Sequence, residues 1–442
     1  MYARITRSAL AVLLPAIAAA SAIDWTPVTP TMRCAARMAL DSAHERIIMF
    51  GGTTVFFDGK YYNDVWEIPL DVAIQRSWAR LAVSGTSPQK RDDVCMAYDP
   101  VGDRMIIFGG SAGLGSRLND VWALNLTRDS ETWQQLSPSG TPPSPRHFCY
   151  YIYDPARLSL VVFGGEDSAG VGDLNDVWEL SLGNLAWHQI KPSGTQPSPR
   201  MDGGAAFDGV NNRMIIFGGR PGSGFTNEVW ALNLTPGSER WTQLSTGGNG
   251  PSARAGFAYA QGGHDFFVSC GWGGGEFYND LYALDIPSLT WSRINPGGDA
   301  PAARRNTTGG WDDAASRFLV FGGEADHGYY LSDLYTVNCA GVAQWVQPQQ
   351  QVAGPLLSVA GIANGSVRIH CVLTQNAWVT VKIADASGRL VRETFAGTAA
   401  RPGINLEWDG RDARGHSVSA GVYYCSVETG GTTVSRKFVL AR

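Results

Sequence analysis

The feature that most constrains the fold of this chain is a unit of 51 to 58 residues that occurs six times. Each copy contains an apolar run that ends in a glycine-rich step. Five copies read Phe-Gly-Gly, and the other is the degenerate Cys270-Gly271-Trp272; the five phenylalanines are Phe50, Phe108, Phe163, Phe217 and Phe321. A sequence period of this length indicates supersecondary units that stack and share a core.

Each unit also repeats two aromatic residues, an acid and an arginine. The first aromatics are Trp66, Trp122, Trp178, Trp230, Tyr282 and Tyr335, and the acids two residues before them are Asp64, Asp120, Asp176, Glu228, Asp280 and Asp333. The second aromatics are Trp78, Trp133, Trp187, Trp241 and Trp291. The arginines that follow thirteen residues later are Arg91, Arg146, Arg200, Arg254 and Arg304, and Arg33 fills the same place ahead of the first unit.

Short apolar segments within each unit predict four strands, as in residues 94–98, 105–108, 121–126 and 133–136. Turns rich in Pro and Gly, such as residues 137–143, separate them, as antiparallel strands require. Four strands with a Gly pair describe a propeller blade, in which the repeated aromatics fill the space between blades. The sequence therefore predicts an all-β chain built on a six-bladed propeller.

These units resemble the kelch repeat, and the resemblance covers residues 25–346. It implies a kelch-type propeller over residues 23–346, with a departure in the fifth unit, where Trp272 stands for the second glycine and Gln261 for an aromatic. Two segments can supply the strand that closes the ring: one near Trp25 and one near Trp345. We favour the segment near Trp25 as the outer strand of the sixth blade, because it joins the first and last repeats and hides the open edges.

Residues 1–22 have the pattern of a secretory signal peptide. Arg4 and Arg7 precede an apolar stretch over residues 9–20, and Ala20-Ser21-Ala22 offers a small-residue cleavage site. Cleavage after Ala22 predicts a secreted or cell-surface protein, and an uncleaved membrane anchor stays open as the alternative. No later apolar run approaches the roughly 20 residues of a membrane-spanning helix.

The last part of the chain has a different pattern. Residues 347–361 are polar and predict a linker. Residues 362–442 contain short segments in which apolar and polar residues alternate, which is typical of the strands of a β-sandwich. Trp408-Asp409-Gly410, Gly421-Val422-Tyr423 and residues 437–440 resemble the Ig-like domain of flagellar hook-capping proteins and the C-terminal sorting domains of type IX secretion. The resemblance implies export, by a sorting signal that is removed or by a permanent module.

The chain has seven cysteines, and two of them suggest a bond. Cys371 and Cys425 each lie an even number of residues from apolar residues of the same predicted strand, so their side chains should point to the same face. Both should therefore point into the sandwich, either as a disulfide or as two buried thiols. Tyr423 occupies the place of a tyrosine corner, two residues before Cys425. Cys34, Cys95, Cys149 and Cys270 are expected to be small core residues, and Cys339 has no assigned pairing.

Signatures of chemistry are scarce. The net charge of -5 argues against a nucleic-acid partner. No His-Glu-x-x-His, Gly-x-Ser-x-Gly, Cys-x-x-Cys or phosphate-loop pattern occurs, so the sequence predicts no metal site, cofactor or catalytic residue. His147, Cys149 and Tyr150 are close in sequence, but neighbouring strand residues point to opposite faces, which disfavours the metal site of a copper radical oxidase.

Two sets of residues are candidates for ligand binding. The first is the ring of repeated arginines, Arg33, Arg91, Arg146, Arg200, Arg254 and Arg304; their alternative role is to pair with acids and join strands and blades. In kelch adaptor proteins, the arginine at this place lines a peptide-binding mouth, and the resemblance extends that expectation to these six. The second set lies in the loops after the Gly pairs, which differ most between blades: Arg117, Arg220, Phe57, Phe225, Trp272 and Tyr329.

The sequence thus favours an exported, monomeric, non-catalytic binding or scaffold protein. Its expected partner is a protein or a carbohydrate held at the loop face of the propeller. The alternative is a carbohydrate-active propeller enzyme of the oxidase, lyase or sialic-acid epimerase type.

Overall fold

The computed structural model describes most of the chain as β-strands and their connections. The described residues are 30–54, 59–70, 78–113, 115–167, 172–296, 300–325, 328–339, 356–362, 366–372, 377–399, 403–430 and 432–440. Within these ranges, no helix has the length and apolar character needed to cross a membrane.

Five of the six repeats form a four-stranded antiparallel blade, with the strands in chain order from the channel outwards. The first blade is β1 (Arg37–Asp41), β2 (Arg46–Phe50), β3 (Val65–Pro69) and β4 (Ala79–Arg80). The second is β5 (Cys95–Asp99), β6 (Arg104–Phe108), β7 (Val121–Asn125) and β8 (Thr132–Leu136). The third is β10 (Tyr150–Asp154), β11 (Ser159–Asp167), β12 (Asp173–Ser181) and β13 (Ala186–Ile190), with β9 (Arg146–His147) paired to β11.

The fourth blade is β14 (Gly204–Asp208), β15 (Arg213–Phe217), β16 (Val229–Asn233) and β17 (Arg240–Leu244). The fifth is β19 (Ala258–Gly262), β20 (Asp265–Ser269), β23 (Leu281–Asp285) and β24 (Thr290–Ile294), with β18 (Gly247–Gly248) parallel to β24 and a small hairpin of β21 (Trp272–Gly273) and β22 (Glu276–Phe277). The predicted strands of the second unit are confirmed to within a residue or two at their ends.

The sixth blade is described with three strands, β26 (Thr308–Asp312), β27 (Arg317–Phe321) and β30 (Leu334–Asn338). The same repeat also contains a separate small sheet with the order β25 (Arg304–Arg305), β28 (Glu324–Ala325), β29 (Tyr329–Tyr330). The strand expected near Trp25 or Trp345 lies outside the described residues, as does the signal segment. The ring nevertheless joins the first blade to the sixth: Arg33 N donates to Leu331 O at 2.9 Å, and Met38 N donates to Thr308 Oγ1 at 3.1 Å.

Repeated aromatic contacts pack each blade against the preceding one, as the sequence predicted. The second aromatic of a unit lies against the Phe of the Phe-Gly-Gly in the preceding blade, with ring centroids 4.8 to 5.2 Å apart. The pairs are Trp133 with Phe50, Trp187 with Phe108, Trp241 with Phe163, Trp291 with Phe217 and, across the closure of the ring, Trp78 with Phe321.

The fifth blade corrects one sequence alignment. Strand β20 ends at Ser269, so Cys270 takes the place of the first glycine and Gly271 that of the second. Cys270 adopts the left-handed conformation of the glycine it replaces, with φ of 66°. Trp272 therefore does not replace a glycine; it occupies the position after the pair. Gln261, in the place of an aromatic, bonds both backbone groups of Phe207 in the fourth blade, at 2.9 and 2.8 Å.

The C-terminal part is a β-sandwich of two sheets. One sheet has the order β31 (Leu356–Ile362), β32 (Ser366–Val372), β35 (Gly403–Trp408). The other has the order β34 (Leu390–Ala399), β33 (Ala377–Asp385), β36 (Gly421–Thr429), β37 (Thr432–Leu440). The tyrosine corner is confirmed, because the Tyr423 hydroxyl donates to Ser419 O at 2.7 Å.

The predicted disulfide of the sandwich is not formed. Cys371 and Cys425 both point into the core, as expected, but both are free thiols. Burial raises the pKa of Cys371 to about 11 and that of Cys425 to about 12. They lie on opposite sheets, and the space between the sheets is filled by the contacting rings of Trp408, Tyr423 and Phe438, so this core is stabilised by packing without the bond.

Candidate functional site

Each repeated arginine is part of a buried clasp, the name used here for the arginine and the acid that it binds in the same blade. In the second blade, Arg91 bonds both carboxylate oxygens of Asp120, at 2.5 and 2.9 Å, and Gly109 O at 3.0 Å. Trp122 Nε1 donates to the same carboxylate at 2.7 Å. The clasp thus connects the segment that precedes the inner strand with the second and third strands of the same blade.

The six arginines consequently do not face a ligand, and the sequence prediction that they bind one is wrong. Their exposed fractions are 0 to 1%, because the guanidinium of each is enclosed by its acid and by backbone carbonyls. The other five clasps are Arg33 with Asp64, Arg146 with Asp176, Arg200 with Glu228, Arg254 with Asp280 and Arg304 with Asp333. All six arginines therefore have the alternative role, in which each arginine pairs with an acid and joins strands of the propeller.

Acid is expected to weaken the clasps. Burial by itself would raise the pKa of Asp120, but the hydrogen bond and charge of Arg91, together with Trp122, bring it below its ordinary 3.8. The pKa values of Asp64, Asp176 and Glu228 are lowered likewise. A lowered carboxyl pKa contributes stability above the ordinary value, and this contribution disappears as the pH falls through the folded-state pKa.

Urea unfolding of the wild type and of D120N measures this effect. The stability difference between the two is expected to be largest above about pH 5 and to shrink as the pH falls below about 4. A difference that stays constant over this range would show that Asp120 gains nothing from its charge.

The two residues after each arginine build the mouth of the central channel. The second of them has a positive φ in every blade, between 49 and 62°. These residues are Ala35, Asp93, Phe148, Asp202, Gly256 and Asn306. At four of the six steps around the channel, neighbouring members are hydrogen-bonded; Asp93 N, for example, donates to Ala35 O at 3.0 Å, and Gly256 N to Asp202 O at 3.0 Å. Left-handed non-glycine residues are unfavourable by themselves and are held here by the surrounding ring.

A cavity of about 270 Å³ opens at this mouth, on the side of the loops that follow the Gly pairs. Its lining combines the residues after the arginines with those after the Gly pairs. Its titratable and basic members are Asp92, Asp93, His147, Glu166, Asp202, Arg117, Arg220 and Arg305, and its other aromatic members are Tyr61, Phe148 and Trp272. The cavity therefore offers both signs of charge beside flat apolar faces.

His147 is fixed by a carboxylate. Its Nε2 lies 2.8 Å from Glu166 Oε2, which also accepts from Arg117 at 3.1 Å. The hydrogen bond from His147 is the largest cause that lowers the pKa of Glu166 to about 2. Burial lowers the pKa of His147 to about 4, so its ring is neutral at neutral pH, with the proton on Nε2. His147 Nδ1 is buried and has no hydrogen-bond partner within the described part of the chain.

Two carboxyl groups in the cavity have pKa values near neutrality. Burial raises the pKa of Asp92 to about 7 and that of Asp202 to about 6. Burial also raises the pKa of Asp93, although Arg37 donates to Asp93 Oδ1 at 3.0 Å. Such values in a cleft are typical of functional groups.

Arg220 and Trp272 form a second part of the mouth. The Arg220 guanidinium contacts Met201 Sδ at 3.8 Å, and its Nε is buried without a hydrogen-bond partner among the described residues. Trp272 packs edge-on against Phe225, with centroids 4.6 Å apart, and Arg305 lies 4.8 Å over its ring. Arg305 thus lies over one face of Trp272, and Phe225 meets the ring edge-on; these two rings are called the aromatic shelf here.

The opposite end of the channel has a different character. A cavity of about 260 Å³ there is lined mainly by inner-strand residues, with Phe207, Tyr153 and Trp311 among them. Its lining has fewer charged groups than the loop-side mouth, since Asp313 is the acidic member and no arginine contributes among the described residues.

Comparisons with known proteins agree with this architecture. The family profile described as KLHDC2/KLHL20/DRC7 Kelch-repeats domain matches residues 6–200, and the FlgD Ig-like domain matches residues 358–432. The solved structure titled "Structure of YjhT" superposes with a TM-score of 0.53 at 17% identity, over 70% of this chain and 95% of that one. This chain contains a kelch-repeat propeller and a FlgD Ig-like domain.

Two curated relatives of the kelch propeller are much longer proteins. The chain is 32% identical over 236 residues to the leucine-zipper-like transcriptional regulator 1 homolog of Drosophila melanogaster. It is 29% identical over 315 residues to the dynein alpha chain, flagellar outer arm, of Chlamydomonas reinhardtii. These matches cover 51% and 66% of this chain but only 23% and 7% of the relatives, so the chain spans less than a quarter of their length.

The structure places the loop residues singled out from the sequence as follows. Arg117, Arg220 and Trp272 line the mouth of the kelch propeller, and Phe225 packs on Trp272. Tyr329 is 69% exposed on β29 and does not line the cavity. Phe57 lies outside the described residues.

Sequence reasoning missed Asp92 and Asp93, and it considered His147 only for a copper site that it disfavoured. The signal for them was the variation directly after a constant residue: each repeated arginine of the kelch propeller is followed by a different pair of residues. These pairs are Cys34-Ala35, Asp92-Asp93, His147-Phe148, Met201-Asp202, Ala255-Gly256 and Arg305-Asn306. Binding surfaces of repeat folds lie where the repeats differ.

Proposed function

We propose that the chain is a non-catalytic binding protein that holds a protein or glycan ligand at the loop-side mouth of the propeller. The observation that carries this proposal is Arg220, a half-buried guanidinium whose Nε has no hydrogen-bond partner among the described residues. A buried donor without a partner costs free energy, and a ligand carboxylate satisfies it.

The surroundings of Arg220 support a ligand with both an acidic group and a flat face. The shelf of Phe225 and Trp272 offers a surface for a sugar ring or an aromatic side chain. Aromatic residues and arginines together dominate the free energy of binding in many interfaces. The ligand class is therefore a carboxylate-bearing glycan or peptide.

An array of acidic and neutral glycans and peptides, probed with the full chain, tests the proposal. Carboxylate-bearing members are expected to bind, and R220Q is expected to weaken that binding by about 10- to 100-fold, since a charged hydrogen bond contributes about 1.5–3 kcal/mol. The matched control is R240Q, which changes an exposed arginine on the outer strand β17. Equal binding of neutral members, or full binding by R220Q, would reject this mode of recognition.

A second candidate is an enzyme that acts on sugars. It is favoured by Asp92 and Asp202, which line one cavity and whose pKa values, raised by burial, suit proton transfer near neutral pH. Incubation of the array ligands with the full chain distinguishes the candidates: turnover that D202N abolishes favours the enzyme, and unchanged ligands favour the binding protein.

We also propose that the protein acts outside the cytoplasm, as a monomer. The support is the pattern of residues 1–22, with two arginines before an apolar stretch and a small-residue end. N-terminal sequencing of the exported protein should begin at Ile23, whereas a chain that keeps Met1 would contradict cleavage.

A further inference from the structure

Asp92, Asp93 and His147 bring three ligand atoms together at the channel mouth. One atom from each residue lies within 4.8 Å of the others, and all three residues are buried. Carboxylate oxygens and an unprotonated ring nitrogen are all acceptors, so they repel one another unless a proton or a cation lies between them.

Two of these acceptors lack a partner. Asp92 is 8% exposed and His147 is 5% exposed, and in the part of the chain that the structure describes neither Asp92 Oδ1 nor His147 Nδ1 has a hydrogen bond. Buried polar atoms without partners are rare and call for an explanation by a bound species.

The setting of His147 is that of a metal ligand. A carboxylate that accepts from one ring nitrogen fixes the tautomer and leaves the other nitrogen free to bind a metal. Glu166 does this at Nε2, and Arg117 holds Glu166 in place, so the lone pair of Nδ1 is available.

The arginines around the cluster do not pair with all of its acceptors. Asp92, Asp93 and Asp202 face it from three positions, and the arginines nearest to Asp92 and Asp93 are Arg37 and Arg117. Arg37 engages only Oδ1 of Asp93. Arg220 and Arg305 act on Asp202, so among the described residues no arginine is left to pair with Asp92 Oδ1, and a divalent ion would supply a partner for this oxygen and for His147 Nδ1.

We propose that Asp92, Asp93 and His147 bind a divalent transition-metal ion in the mouth of the propeller. A set of one imidazole nitrogen and two carboxylates suits Zn²⁺ or Mn²⁺ better than Ca²⁺ or Mg²⁺, which take oxygen ligands. The ion would lie in the same cavity as Arg220 and Trp272, but this inference does not rest on the proposed ligand, because metal binding is measured without it.

Calorimetric titration of the chelator-treated full chain with Zn²⁺ and with Mn²⁺ tests the site. The wild type is expected to bind one ion per chain, and D92N and H147F are each expected to weaken binding by at least about tenfold. E166Q removes the carboxylate that orients His147 and is expected to weaken binding by about 10- to 100-fold. If H147F fails to fold, D92N and E166Q carry the test.

The control is H44N, which alters the other cluster of the described residues with metal-ligand geometry, Asp41, His44 and Asp103. His44 Nδ1 already lies 2.9 Å from Asp41 Oδ2, so this cluster has its own internal partner and H44N should bind Zn²⁺ as the wild type does. The proposal is overturned if the wild type binds neither ion, if D92N binds as tightly as the wild type, or if H44N is the variant that loses binding.

Discussion

Replacement of Arg46 by alanine is expected to lower the free energy of unfolding of the propeller by about 3–5 kcal/mol. Arg46 is 1% exposed and bonds Asp41 at 2.8 Å, Glu131 at 2.8 Å and Leu126 O at 2.8 Å. Asp41 and Glu131 are themselves 0 and 3% exposed. The variant leaves Glu131 buried without this cation and leaves Asp41 with His44 as its remaining side-chain partner, and it cuts a link between the first and second blades. Chemical denaturation followed by tryptophan fluorescence measures the loss.

The matched control is R213A, at the same place in the fourth blade. The Arg213 side chain is 19% exposed and, among the described residues, pairs with Asp208, which keeps the side chain of Asn211 as a second partner. A loss of about 1 kcal/mol is expected for this more exposed pair. Equal losses for R46A and R213A would show that burial of the network does not matter.

Replacement of Gly110 by alanine is expected to destabilise the propeller by about 3 kcal/mol or more. Gly110 is the second glycine of its pair and has φ of +97°. An added Cβ would lie 2.5 Å from Asp92 O and 2.8 Å from Val94 Cγ1. The nearer atom belongs to the backbone of the channel mouth, which cannot move without disturbing the ring of left-handed residues.

Gly224, in the loop of the fourth blade, provides the comparison for Gly110. Its φ is not in the left-handed region, and an added Cβ would meet only Pro221 O, at 3.8 Å. G224A should therefore change the stability by no more than about 0.5 kcal/mol. Thermal unfolding of both variants decides the question, and a G110A variant as stable as G224A would contradict the close approach at the Gly pair.

The parts of the fold that repeat could be predicted, because the same contact recurs in each blade. The pairing of Trp133 with Phe50 and the bond of Arg91 to Asp120 are each one copy of a pattern visible in the sequence. The exceptions could not be predicted. Cys270 accepts a positive φ, and Gln261 replaces an aromatic contact with two hydrogen bonds to Phe207; both depend on a neighbouring blade rather than on the local sequence.

The candidate site was predictable only in part. Variation among the loops pointed to Arg220 and Trp272, which do line the mouth. Repetition misled the interpretation of the arginines, because a constant residue in a repeat fold more often maintains the repeat than binds a ligand. Asp92 and His147 lie 55 residues apart in neighbouring blades, and only the packing of the third blade against the second brings them within reach of each other.

The central claim is that the loop-side mouth, and not the repeated clasps, is the functional site. The most direct measurement is a crystal structure of the full chain with the tightest ligand from the array. The claim predicts the ligand in the loop-side cavity, with its carboxylate on Arg220 and a flat face on Trp272. A ligand bound in the opposite cavity, against Phe207 and Trp311, or on the outer strands would contradict it.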